Sequence, residues 1–110
     1  MKILAGYKKW HTLSRHVPKI HRYSLGVKID DCFAGLVELV AMAQFSDVEL
    51  RRKYLTAAIA KNDCLKFMLY TLYEIEGIDE KSFVALSSDI EEVGKMLYGW
   101  KNKIETTIKS

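Results

Sequence analysis

Seven cations and three imidazoles crowd the first 28 residues: Lys2, Lys8, Lys9, Arg15, Lys19, Arg22 and Lys28, with His11, His16 and His21, and no Asp or Glu among them. Such a block is suited to pairing with anionic oxygens, Arg as a planar two-pronged fork and Lys as a compact point charge. The remaining residues carry ten basic and fourteen acidic side chains, so the net charge of +3 conceals an asymmetry. A basic N-terminal third on a balanced body points to an acidic partner met by one face. Charge alone fits a solvated basic hairpin equally well. A second cationic cluster, Arg51-Arg52-Lys53, opens a helical segment. The macrodipole disfavours cations there by roughly 0.3 kcal/mol or more. That placement makes sense for a surface contact, and an ordinary solvated patch is the plainer reading.

Catalytic constellations are largely missing from the sequence. It has no GxxxxGK[ST] loop or GxGxxG turn to cradle phosphates, and no paired Glu-x-x-His motifs for a di-metal bundle. The carboxylates fall in two groups, Glu74, Glu76, Asp79 and Glu80, then Asp89, Glu91 and Glu92. Both read as solvated faces, because acid–base work needs partly buried, perturbed groups. Arg15 and His21 resemble the Arg-x(4–6)-His signature of HEPN-type helical ribonucleases, but Pro18 lies between them and breaks the helix that would align them. Cys32 and Cys64 have no CxxC partner and no His at ligand spacing, and read as buried thiols in a reducing compartment. No enzyme activity, metal or cofactor is expected.

Four helical segments must position the cations. Length and scarce Gly and Pro fit one ordered domain, 1–110. The first helix runs from about Lys2 to His16, with Ile3, Tyr7, Trp10 and Ser14 on one face, and Pro18 ends it. Ser24 is the expected N-cap of the second, which carries Leu25, Ile29, Cys32, Leu36, Leu39 and Ala43. Ser46 or Asp47 caps a third helix reaching about Glu76, with a seam of Leu55, Ala58, Asn62, Leu65, Leu69 and Leu72, and Gly77 as its C-terminal cap. Asp79 caps the fourth, whose seam is Phe83, Leu86, Ile90, Val93, Leu97, Trp100 and Ile104. Seams this regular, joined by short connections, predict an all-α, up-down-up-down antiparallel four-helix bundle.

Trp10 and Trp100 are expected core anchors, and Asn62 a polar residue that fixes register. Gly94 and Gly99 cost their helix about 1 kcal/mol each relative to alanine, which suggests close approach of another helix or chain. No stretch reaches the ~20 apolar residues of a membrane span, and no signal-peptide core follows the N-terminus. A cytoplasmic protein is expected.

Three stretches carry a family resemblance. His16-Val-Pro-Lys-x-x-Arg22-Tyr-Ser-Leu-Gly-x-Lys-Ile29 resembles the first-to-second-helix junction of a four-helix-bundle family. That family comprises proteins encoded in intervening sequences of bacterial 23S ribosomal RNA genes and the accessory variability determinants (Avd) of diversity-generating retroelements. Cys64-Leu-Lys-Phe-Met-Leu-Tyr-Thr-Leu72 and Glu92-Val-Gly-Lys-Met-Leu-Tyr-Gly-Trp100 resemble the third and fourth helices of the Avd branch. The resemblance covers nearly the whole chain in the same order.

It implies a non-catalytic accessory protein, assembled as a homopentamer, that binds a reverse transcriptase and nucleic acid, RNA or RNA/DNA, during mutagenic retrohoming. The residues it implies for those contacts are Lys19, Arg22 and Lys28 in the junction, Lys66 and Lys95. Lys8, Lys9, Arg15, Arg51, Arg52 and Lys53 join them on charge grounds. The alternative within the family is an intervening-sequence bundle of unknown role. The acidic second half of this chain makes the polymerase the firmer partner and independent RNA binding the weaker.

Overall fold

The computed structural model describes the backbone of residues 2–109 and the side chains of residues 2–107. Helix α1, Lys2–Leu13, ends in a 3-10 turn, Ser14–His16. Helix α2 is continuous but composite: one turn, Lys19–His21, a π-helical segment, Arg22–Gly26, and the α-helix Val27–Gln44. Helices α3, Val48–Glu74, and α4, Glu80–Lys109, complete an all-α four-helix bundle with no strand among the described residues. None of these helices is long and apolar enough to cross a membrane.

Contacts fix the directions. Lys2 meets Glu92 and Lys9 meets Asp89, so α1 is antiparallel to α4. Asn62 on α3 donates to the Ile90 carbonyl, while Arg51 lies over Trp100, so α3 and α4 are antiparallel as well. Arg51 also reaches back to the Ala43 carbonyl, and Lys61 lies against Gly35, which runs α3 antiparallel to α2. The topology is therefore up-down-up-down. At about 1.5 Å per residue, the 12 residues of α1 span less than half the length of the 30-residue α4. A helix that short is marginal in water, so α1 depends on what it buries.

The third-helix seam is buried at every expected position from Leu55 to Leu72. The fourth-helix seam is buried from Leu86 to Leu97 and at Ile104, but Phe83 at its start and Trp100, between Leu97 and Ile104, are only half-buried. On α2 the core residues are Ile29, Phe33, Leu36, Val40 and Ala43, with Leu25, Cys32 and Leu39 at the margin. Phe33 is the centre of an aromatic stack, with Tyr7 at 5.3 Å and Trp10 at 6.4 Å between ring centroids. The thiols are less enclosed than expected: Cys64 is exposed and Cys32 half-buried across from it. Burial, then the neighbouring Cys64, pushes the Cys32 thiol up.

Local signals at the helix ends are partly corrected. Asp47 and Asp79 are N-caps, accepting from the Leu50 and Ser82 amides. The Ser82 hydrogen bonds hold the Asp79 carboxyl below its ordinary range. This cap therefore stabilises above the ordinary carboxylate pKa and is lost as pH falls through the lowered value. Ser24 caps nothing; it sits inside the π segment, its hydroxyl bonded to the Ile20 and His21 carbonyls. Pro18 is the actual N-cap of α2, its carbonyl accepting from the His21 and Arg22 amides.

The α3 terminus is a Schellman turn in which Glu76, not Gly77, takes the left-handed conformation, at φ 63°. The Glu76 amide donates to Tyr73 and the Gly77 amide to Leu72. Gly77 is required one position later, because a Cβ there would collide with the Leu72 side chain. Glu76→Gly is expected to raise stability by about 0.5–1 kcal/mol in urea denaturation, the left-handed penalty less the added freedom of the unfolded chain. An unchanged or lower midpoint would remove this account of the turn.

Gly94 packs inside the chain. A Cβ on it would meet Asn62 Nδ2 at 3.2 Å, so the glycine lets α3 press Asn62 against α4. Gly99 has no neighbour within 4 Å of such a Cβ.

Candidate anion-binding surface

The eleven cations singled out in the sequence divide by what they touch. Four are engaged within the fold. The Lys9 ammonium lies 2.7 Å from Asp89, a carboxylate the sequence placed on a solvated face but which is 7% exposed. Lys66 pairs with Glu91 at 3.4 Å. Arg22 straps the α1–α2 junction, its Nη2 donating to the Arg15 carbonyl at 2.6 Å and the Val17 carbonyl at 3.0 Å. Arg51 does the same for the α2–α3 turn, donating to Ala43 at 2.8 Å and Ser46 at 3.0 Å beneath the Trp100 ring. Each guanidinium satisfies carbonyls that a helix end leaves without partners.

The other seven, Lys8, Arg15, Lys19, Lys28, Arg52, Lys53 and Lys95, are exposed, and among the described residues no carboxylate pairs with them. Lys8, Arg15, Lys19 and Lys28 all belong to the α1–α2 hairpin, where the seven-residue step from Lys8 to Arg15 is two helical turns. The strap from Arg22 holds the Arg15 backbone, so the turn that carries Arg15 and Lys19 is braced. Arg52 and Lys53 lie at the opposite end, at the start of α3, and Lys95 on α4. Acidic side chains of α4 neutralise Lys2 and Lys9 of the hairpin and Lys66 of α3, and four of the seven unpaired cations still belong to the hairpin.

This geometry can hold phosphate or carboxylate groups by Coulomb attraction and charge-assisted hydrogen bonds. It does not assemble an acid–base pair from Arg15 and His21. Arg15 sits in the 3-10 turn and His21 beyond Pro18 in α2. No cluster of three or more His, Cys, Asp or Glu that could hold a metal ion occurs among the described residues.

Sequence reasoning missed the bracing roles of Arg22 and Arg51. The available signal was position: each lies a few residues beyond the end of a helix whose last carbonyls need donors. It also missed the neighbourhood of Trp10. With Arg22, Asp30 and Tyr23, that residue lines a cleft of about 210 Å³ under the junction. The Tyr7 hydroxyl is pushed up, first by burial and then by Asp30 beside it.

A family model described as bAvd-like matches residues 2–104. No curated protein and no solved structure matches the chain.

Proposed function

The chain belongs to the bAvd-like family, and from that premise we propose that it is a non-catalytic accessory subunit of a diversity-generating retroelement. In this reading it binds the reverse transcriptase and nucleic acid, RNA or cDNA, and works as a homopentamer in the cytoplasm. The observation that carries the nucleic-acid part is the α1–α2 hairpin with Lys8, Arg15, Lys19 and Lys28 exposed and unpaired. Such contacts hold a phosphate backbone in place and leave specificity to RNA shape or to the polymerase. An exposed aromatic pair on α3 supports the assembly part: Phe67 is 71% exposed and Tyr70 48%, with ring centroids 6.3 Å apart.

Co-expression with the reverse transcriptase that this reading places beside the gene for the chain tests the reading. The two proteins are expected to co-purify after nuclease treatment. Light scattering on the chain alone, at tens of micromolar, is expected to give the mass of five copies. A monomer mass would remove the ring. Failure to co-purify would remove the polymerase partnership.

A further inference from the structure

Cys32 on α2 and Cys64 on α3 are the two cysteines of the chain, and the packing of the two helices sets them opposite each other. Gly35 marks the register: a Cβ added there would meet the Lys61 side chain, at 3.1 Å from Nζ and 3.2 Å from Cδ. Because α2 and α3 are antiparallel, three residues back from Gly35 and three residues on from Lys61 reach the same level, at Cys32 and Cys64. Steps of three stay on one side of each helix. The two thiols share a hydrogen bond. Burial and then Cys64 push the Cys32 thiol up, and the Lys61 ammonium draws it partly back. Helix axes pack roughly 8–10 Å apart and each Cα stands about 2.3 Å from its axis, so residues directly opposite fall within the roughly 7 Å that a disulfide spans. Access to the two sulfurs differs. Cys64 is exposed and Cys32 half-buried, the arrangement of one thiol that meets an oxidant and a second that resolves the product.

We propose that Cys32 and Cys64 are an oxidative modification site, joined by a hydroperoxide into a reversible disulfide that staples α2 to α3. The Cys64 sulfur attacks one oxygen of hydrogen peroxide and the O–O bond breaks, leaving a sulfenic acid on Cys64 and one water. The Cys32 sulfur then displaces the hydroxyl from the Cys64 sulfur. An S–S bond forms, the S–O bond breaks, and the Cys32 proton leaves with the hydroxyl as a second water. One electron from each sulfur has then reduced the peroxide to water. Exchange with a small dithiol restores both thiols. In a reducing compartment the pair rests as two thiols, so the bond marks a passing oxidation and is no permanent part of the fold. The crosslink closes a loop of about thirty residues, which removes freedom from the unfolded chain and so stabilises the bundle. The site is independent of the retroelement reading, which stands whichever way the test of the thiols falls.

The test treats the full chain, reduced and freed of added thiol, with hydrogen peroxide, caps the remaining thiols with iodoacetamide and digests with trypsin. The expected product is a linked pair of peptides, residues 29–51 with residues 62–66, which dithiothreitol separates. On a non-reducing denaturing gel the oxidised chain is expected to run as a single chain. The Cys32→Ser protein is expected to stop at a sulfenic acid on Cys64, trapped by dimedone, and the Cys64→Ser protein to leave Cys32 unreacted over the same time. The oxidised wild-type protein is expected to unfold at higher urea, and dithiothreitol to return the midpoint to its starting value. Crosslinks between chains, oxidation that stops at Cys64 in the wild-type protein, or two thiols untouched by peroxide would overturn the site. So would a linked protein that unfolds at lower urea, since the bond would then strain the helix pair it is proposed to staple.

Discussion

Trp10→Ala is expected to cost about 3–5 kcal/mol of folding stability, the range for a large aromatic truncated in a core. Trp10 is 1% exposed and stacks on Phe33, which in turn stacks on Tyr7. Alongside Ile3 and Val17 it is one of few anchors that tie the α1 region to the core. Because α1 is too short to persist alone, losing the anchor also loosens the hairpin that carries Lys8 and Arg15. Denaturant unfolding measures the loss, and amide exchange locates it, with α1 expected to lose protection first. Trp100→Ala is the control: half-buried between Leu97 and Ile104, it is expected to cost less. A Trp10 loss below about 1 kcal/mol would mean that α1 is not held as described.

Changing Lys8, Arg15, Lys19 and Lys28 together to Glu is expected to abolish RNA binding at low salt. For single strands, log affinity falls with log salt at about −0.7 per phosphate neutralised, so four contacts on one chain give a slope near −3. Copies linked in a ring would act at high effective concentration and steepen the apparent dependence. The variant is expected to lose both the affinity and the slope while keeping its helical circular dichroism, since all four side chains are exposed and none caps a helix. Arg51→Glu separates the two kinds of cation. It leaves the carbonyls of Ala43 and Ser46 without their donor, so it should lower stability by roughly 1–3 kcal/mol and change the salt slope little. His21→Ala is expected to leave binding intact. RNA cleavage by the purified protein that disappears with His21→Ala would put a nuclease in place of the accessory subunit. A wild-type protein that fails to bind RNA at low salt would confine the basic edge to contact with the polymerase.

The bundle itself was readable from one dimension because its determinants are local. Leu55 to Leu72 and Leu86 to Leu97 repeat at helical spacing, and a helix with an apolar stripe has few ways to bury it other than against similar helices. Asp47 and Asp79 announced their helices because an N-cap acts on amides three residues away. The family resemblance was legible for a related reason: the motifs lie on those same seams and on the Pro18 junction.

What each cation does was decided elsewhere. Lys9 and Lys8 are neighbours in sequence, yet one lies 2.7 Å from a buried carboxylate eighty positions away and the other faces water. Arg22 and Arg51 look like members of basic patches, and only the three-dimensional path of the turns shows them bonded to helix-end carbonyls. The same holds for Gly94, whose missing side chain is explained by Asn62 on another helix, and for Glu76, which holds the left-handed position that sequence alone would give to Gly77. Periodicity reports which face of a helix is apolar. It carries no information on which residue of a distant helix comes within 3 Å, because that depends on register and crossing angle, which are set only when all four helices pack.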